Sequence, residues 1–283
     1  MKKYLIMFML LIFAACGNAA GGSGSGDLRI ISIGPSNTEI LAGLGAGGYI
    51  VAADDHSADI VDGDIVFFDI MNPNAEQMIA LTPDVVFVAG LAADAGGGDP
   101  FRVIAEQGIE VVHVPSSDSI DGIKNDIRLI AGAIDMSDAA EEIISYMAQN
   151  IEDIRGISGG IAERRTVYFE ISAAPFMFSF GSGTFLNEML DIAGGVNVFS
   201  DREGWYSVSD EVLITANPDV ILTNISYIDD PVGEIAGRPG WGVISAVQNN
   251  RIHQIDTNAS SRPSHRIIYA MWEMARAIYP EYF

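Results

Sequence analysis

The chain has 283 residues, of which 49% are hydrophobic and 19% charged, a balance typical of a packed globular protein rather than a disordered one. Its formal net charge of −23 would repel nucleic acid phosphates and no basic stripe offsets it, so DNA and RNA are excluded as expected partners. The single cysteine permits neither an internal disulfide nor a cysteine-ligated zinc site.

The first residues have the pattern of an export signal. "MKKYLIMFMLLIFAACGN" places two lysines before a short apolar run and two alanines directly before Cys16. The ending Ala-Ala-Cys resembles a bacterial lipoprotein signal, in which the cysteine is lipidated and becomes the first mature residue. We therefore expect a signal peptide over residues 1–15 and a flexible Gly/Ser-rich tether over residues 16–27. Cys16 would anchor the protein to the cell membrane, facing the extracytoplasmic space (cell surface or periplasm); an ordinary secretory signal is the alternative.

Residues 28–118 alternate short apolar runs with helical stretches. The predicted strands cover 29–33, 49–53, 84–89 and 111–114. The predicted helices are one from a Ser36–Glu39 capping box to about Leu44, one near 75–81 and one near 100–107. This alternation predicts an N-terminal α/β lobe with a largely parallel sheet.

Residues 119–160 are helix-compatible almost throughout, with a predicted break near 135–137, and we expect them to form a helical bridge. Residues 161–283 then resume the alternation and predict a C-terminal α/β lobe. Its predicted strands cover 166–171, 219–223 and 251–255, and its helices lie near 184–193, 209–216 and 264–278. The fold class is therefore α/β, with two Rossmann-like lobes joined by one long α-helix.

One short pattern occurs once in each lobe. "NAEQMIALTPDVVFV" and "SDEVLITANPDVILT" each place a glutamate, Glu76 or Glu211, seven residues before Pro-Asp-Val. Asn74 and Ser209 are predicted N-caps, and the helix dipole favours a carboxylate in the first turn. Local helix chemistry thus explains each glutamate, whereas a duplicated α/β unit would explain the shared spacing.

The chain resembles the substrate-binding proteins of bacterial ABC importers for iron chelates and cobalamin. The resemblance rests on "RIISIGPSNTEILAGLG", "MNPNAEQMIALTPDVVFVAG", "GSGTFLNEMLDIAGGVNVF", "SVSDEVLITANPDVIL" and "SSRPSHRIIYAMWEMARAIYPE". It implies a monomeric, lipid-anchored receptor that delivers a small-molecule metal chelate to an ABC permease dimer with its ATPase subunits. It also implies that Glu76 and Glu211 dock into arginines of that permease. Charge complementarity of this kind mainly sets orientation and encounter rate.

A ligand is expected in the cleft between the lobes, outside the carboxyl ends of the strands. The candidate ligand-binding residues follow predicted strands or precede the second docking helix: His56, Phe68, Phe176, Phe178, Trp205, Tyr206, Tyr227 and Arg262. Large aromatic walls with few polar groups suit a cobalamin, another corrinoid or a neutral ferric siderophore. A trianionic catecholate is disfavoured because few arginines are placed to receive it. Haem is an alternative ligand, with His56, Tyr206 or Tyr227 as the axial residue.

Other functions have weaker support in the sequence. "GLGAGG" (43–48) matches a dinucleotide-binding motif, but it follows a predicted helix and precedes a strand, which is the reverse of the required order. The four histidines are scattered, and no nucleophile motif is present, so we expect no enzyme activity, no resident cofactor and no protein-bound metal ion. A surface scaffold lipoprotein remains an alternative, and it would bind no small molecule tightly.

Overall fold

The computed structural model describes residues 28–90 and 101–283. The predicted signal peptide, Cys16 and the predicted tether lie outside the described residues. Within the described ranges, no helix has both the length and the apolar character that a membrane span requires.

The first sheet contains five parallel strands. These are β1 Ile30–Ile33, β2 Ile50–Asp54, β3 Val66–Phe68, β4 Val85–Ala89 and β5 Glu110–Val114. Their order across the sheet is β3-β2-β1-β4-β5. The accompanying helices are α1 Pro35–Gly43, α2 Ala75–Ala80 and α3 Arg102–Glu106. The four predicted strands are confirmed within one residue at each end, and the short edge strand β3 was not predicted.

The second sheet is also parallel. Its strands are β6 Thr166–Glu170, β8 Val196–Asn197, β10 Val220–Thr223 and β11 Ile252–Gln254, in the order β11-β10-β6-β8. A separate antiparallel ribbon pairs β7 Phe178–Phe180 with β9 Trp205–Ser207. The helices that follow the bridge are α6 Phe185–Ile192, α7 Asp210–Ala216, α8 Pro231–Ala236, α9 Ser245–Gln248, α10 Thr257–Ser261 and α11 Ile267–Ile278.

Two helices connect the sheets, α4 Ile120–Ala133 and α5 Ser137–Ser158. The predicted break between them is confirmed, and Asp135 there adopts a left-handed φ of 57°. With 22 residues, α5 is roughly 33 Å long at 1.5 Å per residue. Its buried face contributes to one continuous core that runs from β1 through both bridging helices to β6, β10 and α11. Because this core is continuous, the bridge is a packed part of both lobes rather than a free linker.

The repeated sequence pattern folds into the same unit in each lobe. Helix α2 or α7 is followed by a left-handed residue, Thr82 (φ 48°) or Asn217 (φ 44°), and then by Pro-Asp and a strand. A positive φ is unusual for a β-branched threonine, whereas asparagine tolerates it. The shared backbone conformation supports a common architecture for the two patterns.

The aspartates of the two Pro-Asp pairs have the same structural role. The backbone N–H of Arg29 donates to the Asp84 carboxylate over 2.8 Å, and the backbone N–H of Thr166 donates to the Asp219 carboxylate over 2.9 Å. Each aspartate N–H in turn donates to the carbonyl of the same partner residue. The aspartates therefore fix the register of β4 against β1 and of β10 against β6.

The predicted Ser36–Glu39 capping box is wrong. The N-cap of helix α1 is Gly34, two residues before Ser36, and Pro35 lies in the first turn. The Gly34 N–H donates to the Asp54 carboxylate at 2.8 Å. Glu39 is buried and contacts the other lobe, as described below.

One buried carboxylate in α4 makes stability depend on pH. Asp126 is 4% exposed and accepts a 2.5 Å hydrogen bond from the Ser117 hydroxyl, and burial raises its pKa from 3.8 to about 6. An acid whose pKa is higher in the folded state binds its proton there preferentially, so stability falls as the pH rises from about 4 through about 6. Asp126→Asn is therefore expected to raise the free energy of unfolding by about 2–3 kcal/mol at pH 8 and to change it little at pH 4.

Urea unfolding at the two pH values measures this effect. The control is Asp121→Asn on the same helix, because the Asp121 carboxylate is exposed and its hydrogen bond from Lys124 lowers its pKa. A stabilisation by Asp126→Asn that is equal at both pH values would contradict the titration argument.

Candidate functional site

The C-terminal lobe carries four exposed aromatic side chains on the antiparallel ribbon and on the loops that follow β6 and β10. Their exposed fractions are 77% for Phe176, 40% for Phe178, 50% for Trp205 and 69% for Tyr227. We call these four residues the aromatic surface. Exposed aromatic side chains that cluster in this way mark ligand or partner sites more often than isolated ones do.

The pleat of the antiparallel ribbon decides which aromatic residues share a face. Phe178 pairs with Ser207 and Phe180 pairs with Trp205, so Phe178 and Trp205 lie on the same face. Trp205 also makes an edge contact with the Phe180 ring, with the centroids 5.9 Å apart. The ribbon thus carries three aromatic rings on one face, of which Phe178 and Trp205 are exposed and Phe180 is buried.

Tyr206 lies on the opposite face of the same ribbon. Its ring packs edge-on against Phe199 at 5.4 Å and under the Arg202 guanidinium at 4.9 Å. Burial raises the pKa of the Tyr206 hydroxyl above its usual value. The structure therefore does not bring Tyr206 onto the aromatic surface, and the ligand contact predicted for it has no support from this geometry.

Tyr227 connects the aromatic surface to the boundary between the lobes. Its hydroxyl oxygen accepts a 2.9 Å hydrogen bond from the backbone N–H of Ala173, three residues before Phe176. The loop that carries Tyr227 begins at Asn224, whose side-chain amide donates to the Ser261 hydroxyl over 3.0 Å. The aromatic surface is thereby joined to α10, which faces the N-terminal lobe.

The N-terminal lobe contributes the turn that follows β2. The His56 imidazole is exposed, and the Asp54 carboxylate accepts hydrogen bonds from the backbone N–H of His56 (2.9 Å) and the Ser57 hydroxyl (2.7 Å). Asp54 is fully buried and also receives the Gly34 N–H at the start of α1. A protein carboxylate therefore occupies the helix end where an anionic ligand would otherwise bind.

Arg262 joins the lobes instead of standing free in the cleft. Its guanidinium contacts the Asp59 carboxylate at 3.0 Å, Glu39 Oε1 at 3.1 Å and the His56 carbonyl at 3.1 Å. Arg266 Nη1 lies 3.2 Å from the same Glu39 oxygen, and the Ser264 hydroxyl donates to the other at 2.5 Å. Glu39 is 1% exposed, so its charge is compensated by groups from the opposite lobe.

A close approach of α1 and α11 accompanies these ion pairs. A Cβ atom at Gly43 would lie 2.4 Å from His265 Cε1, so any larger residue at this position would require the His265 side chain to shift. Burial lowers the pKa of His265, which favours the neutral imidazole at this contact. We call Glu39, Asp59, Arg262, Ser264 and Arg266 the interlobe cluster.

Phe68 also lies apart from the aromatic surface. Its side chain is 4% exposed and packs in the core beneath the first sheet with Ile31, Met78 and Val86. The structure therefore offers no free ring face at Phe68, and the predicted ligand contact has no geometric support.

Glu76 and Glu211 are exposed in the first turns of α2 and α7. Asn74 caps α2 as predicted, since its side chain accepts the Gln77 N–H at 3.0 Å. Ser209 occupies the cap position of α7, but its hydroxyl accepts no hydrogen bond from a backbone N–H of the helix. The Ser209 hydroxyl instead helps to lower the pKa of Glu211, after the larger contribution of the Glu211 backbone N–H. Both carboxylates are thus available to a partner protein.

Sequence reasoning missed a buried ion pair behind the aromatic surface. Arg238 Nη1 and Nη2 each donate to a Glu170 oxygen at 2.7 Å, and the Tyr168 hydroxyl donates to Glu170 at 3.1 Å. Glu234 also accepts from Arg238, at 2.9 and 2.5 Å. Only the Glu234–Arg238 spacing of four residues was visible as a local signal.

Comparisons with known proteins agree with this architecture. The family described as "Periplasmic binding protein" matches residues 30–259. The uncharacterized ABC transporter substrate-binding lipoprotein YvrC of Bacillus subtilis is 30% identical over 260 residues, which is 90% of this chain and 81% of that protein. The vitamin B12-binding protein of Vibrio cholerae is 26% identical over 249 residues, 86% of each chain.

A solved structure gives the same result for the fold. A possible iron-binding (periplasmic solute-binding) protein from Staphylococcus epidermidis matches with a TM-score of 0.77 and 33% identity, over 89% of this chain and 98% of that one. Other relatives carry names that state binding of haem or molybdate. The named relatives are solute-binding transport proteins rather than enzymes. With two parallel-sheet lobes, a bridging helix and a family match over most of its length, this chain belongs to the periplasmic binding protein family, as a substrate-binding protein of an ABC importer.

Proposed function

We propose that this protein captures a corrinoid or a neutral ferric siderophore between its lobes and delivers it to an ABC permease. The observation that carries the proposal is the aromatic surface, four exposed rings in one lobe. A bulky, partly apolar chelate buries a large apolar area against such rings. The names of relatives that bind vitamin B12 or iron support the same ligand class.

The charges around the site disfavour a small oxyanion such as molybdate. Asp54 fills the start of α1, and the arginines nearest the aromatic surface are already engaged with protein groups. Arg238 pairs with Glu170, and Arg262 pairs with Asp59 and Glu39. An oxyanion would have to displace one of these carboxylates, which is costly for buried charges.

The remaining parts of the proposal concern attachment and organisation. Lipidation at Cys16 would tether the protein to the membrane at the extracytoplasmic face. Residues 28–118 and 161–283 would act as two lobes that close on the ligand, and residues 119–160 would limit that closure. Glu76 and Glu211, one in each lobe, would dock onto permease arginines.

Calorimetric titration of the full-length chain in lipid nanodiscs with cyanocobalamin tests the ligand assignment. Trp205→Ala is expected to weaken binding about 10- to 100-fold, because a central aromatic contact contributes about 2 kcal/mol or more. The control is Tyr146→Ala, a similarly exposed ring on α5, which should leave the affinity unchanged. A ferric hydroxamate is titrated in parallel. Failure of both ligands to bind would overturn the proposal.

Haem is the second candidate, because exposed His56 lies at the lobe boundary and is free to act as an axial ligand. Haemin binding would give a Soret shift that disappears in His56→Ala. A haemin complex that is insensitive to His56→Ala and Tyr227→Phe would exclude axial ligation by either residue.

A further inference from the structure

The aromatic surface and the second docking helix belong to one stretch of chain. Strand β9 carries Trp205 and leads through Val208 and Ser209 into α7, where Glu211 lies in the first turn. The Val208 N–H donates to the Met177 carbonyl at 2.9 Å. Met177 itself lies between Phe176 and Phe178, so the backbone at the start of α7 is bonded to the loop that bears two of the exposed rings.

Arg238 makes a second contact with the loop that contains Met177. Its guanidinium donates four hydrogen bonds to two carboxylates, those of Glu170 and Glu234. Arg238 Nη1 also lies 3.3 Å from Met177 Sδ. Burial opposes the charged form, but the bonds to Glu170 and Glu234 outweigh it and raise the pKa of Arg238. The guanidinium is thus a fixed, permanently charged contact for the Met177 side chain.

Trp241 completes the connection to the docking helix. Arg238 Cζ lies 4.4 Å from the centroid of the fully buried Trp241 ring, a cation–π contact. The Trp241 indole N–H donates to Asp210 Oδ1 at 2.7 Å. Asp210 is the first residue of α7 and directly precedes Glu211.

We propose that Arg238 and Trp241 are positioning residues that couple the aromatic surface to the docking helix α7. Ligand contact with Phe176 and Phe178 would then change the order of α7 at Glu211. The proposal rests on the proposed function for its ligand and its permease. The coupling itself resides in contacts of the described residues: Met177 to Arg238, Arg238 to Trp241, and Trp241 to Asp210. A permease could then distinguish the loaded from the empty receptor at the C-terminal lobe through the order of α7.

Amide hydrogen exchange of the ligand-free, full-length protein in nanodiscs tests the coupling directly. Trp241→Phe keeps a ring over Arg238 and removes only the N–H that bonds Asp210. We expect exchange to rise about five-fold in residues 210–216, as for the loss of one hydrogen bond, and also to rise in residues 176–180. Met177→Leu removes the sulfur contact at constant volume and should raise exchange in residues 210–216 as well as in its own loop.

The matched control is Trp272→Phe. It deletes an equivalent indole N–H, which donates to Asn150 Oδ1 at 2.9 Å between α11 and α5, and it should alter neither segment. Two results would overturn the proposal: Trp241→Phe affecting only residues 210–216, or Met177→Leu leaving those residues at the wild-type exchange rate. Either would mean that the contacts are local packing without coupling.

A second arm adds cyanocobalamin at saturating concentration. Wild type and Trp272→Phe should gain protection in residues 176–180 and 210–216, whereas Trp241→Phe should gain it only in residues 176–180. Absence of any protection would count against the proposed corrinoid ligand, while the ligand-free comparison would still decide the coupling. The two proposals can therefore fail separately.

Discussion

Replacement of the two glutamates proposed to dock on the permease, Glu76→Lys together with Glu211→Lys, is expected to abolish ligand uptake. Ligand affinity should stay within about two-fold of wild type, because the changes affect only encounter and orientation on the permease. Each glutamate is exposed in the first turn of a short helix, one in each lobe. A lysine at either position would face the arginines expected on the permease, and like charges in contact cost several kcal/mol. With both contacts reversed, productive docking should be lost entirely.

Uptake of the radiolabelled ligand by cells whose only copy of the protein carries the two substitutions measures this effect. The matched control is Glu142→Lys with Glu152→Lys, two exposed carboxylates on α5 that change the net charge by the same amount. Uptake by the control should remain near the wild-type rate. Equal loss in both variants would point to the general acidity of the surface rather than to Glu76 and Glu211.

The alternation of strands and helices was predictable because each element is long enough to show its own period. The bridge was predicted best, since the apolar spacing of α5 over 22 residues leaves only one helix face for burial. The short elements were missed because they contain too few residues to show a period. Strand β3 has three residues, two of them exposed, and gives no clear alternation.

The failure to predict strand β9 led to a wrong grouping of residues at the functional site. No strand was predicted at Trp205 and Tyr206, and both residues were predicted to contact the ligand. In the structure they are neighbours on β9, and the pleat sends their side chains to opposite faces. Recognition of the strand would have separated the exposed Trp205 from the packed Tyr206 on the sequence alone.

The interlobe cluster could not have been predicted locally. Glu39 fits a capping-box spacing, and Arg262 comes after the predicted strand 251–255, where a ligand contact is expected. The two residues are 223 positions apart, and their pairing depends on how α10 and α11 pack against α1. Long-range ion pairs leave no periodic pattern in the sequence. Glu39 and Arg262 were therefore each assigned a role from the residues next to them in the sequence.

Replacement of Glu39 should be among the most destabilising single changes in the chain. Glu39→Ala leaves Arg266 without its carboxylate and the Ser264 hydroxyl without its acceptor, while Arg262 keeps the Asp59 carboxylate and the His56 carbonyl. Removal of one member of a buried ion pair typically costs 3–5 kcal/mol, and the remaining Asp59 contact places the expected loss near about 3 kcal/mol. Urea unfolding followed by circular dichroism measures it.

The control is Glu141→Ala, which removes an equally well-formed carboxylate–arginine pair. Glu141 accepts from Arg128 at 2.6 and 3.1 Å, but both side chains are about half exposed, and exposed pairs contribute about 0–1 kcal/mol. If Glu39→Ala costs no more than Glu141→Ala, the interlobe cluster does not stabilise the lobe contact. If Glu39→Ala costs more than Glu141→Ala, the substitution should also affect ligand affinity, because Arg262 donates to the His56 carbonyl at the lobe boundary. Glu39→Ala should then weaken ligand affinity through the His56 turn, although the Glu39 side chain itself is buried.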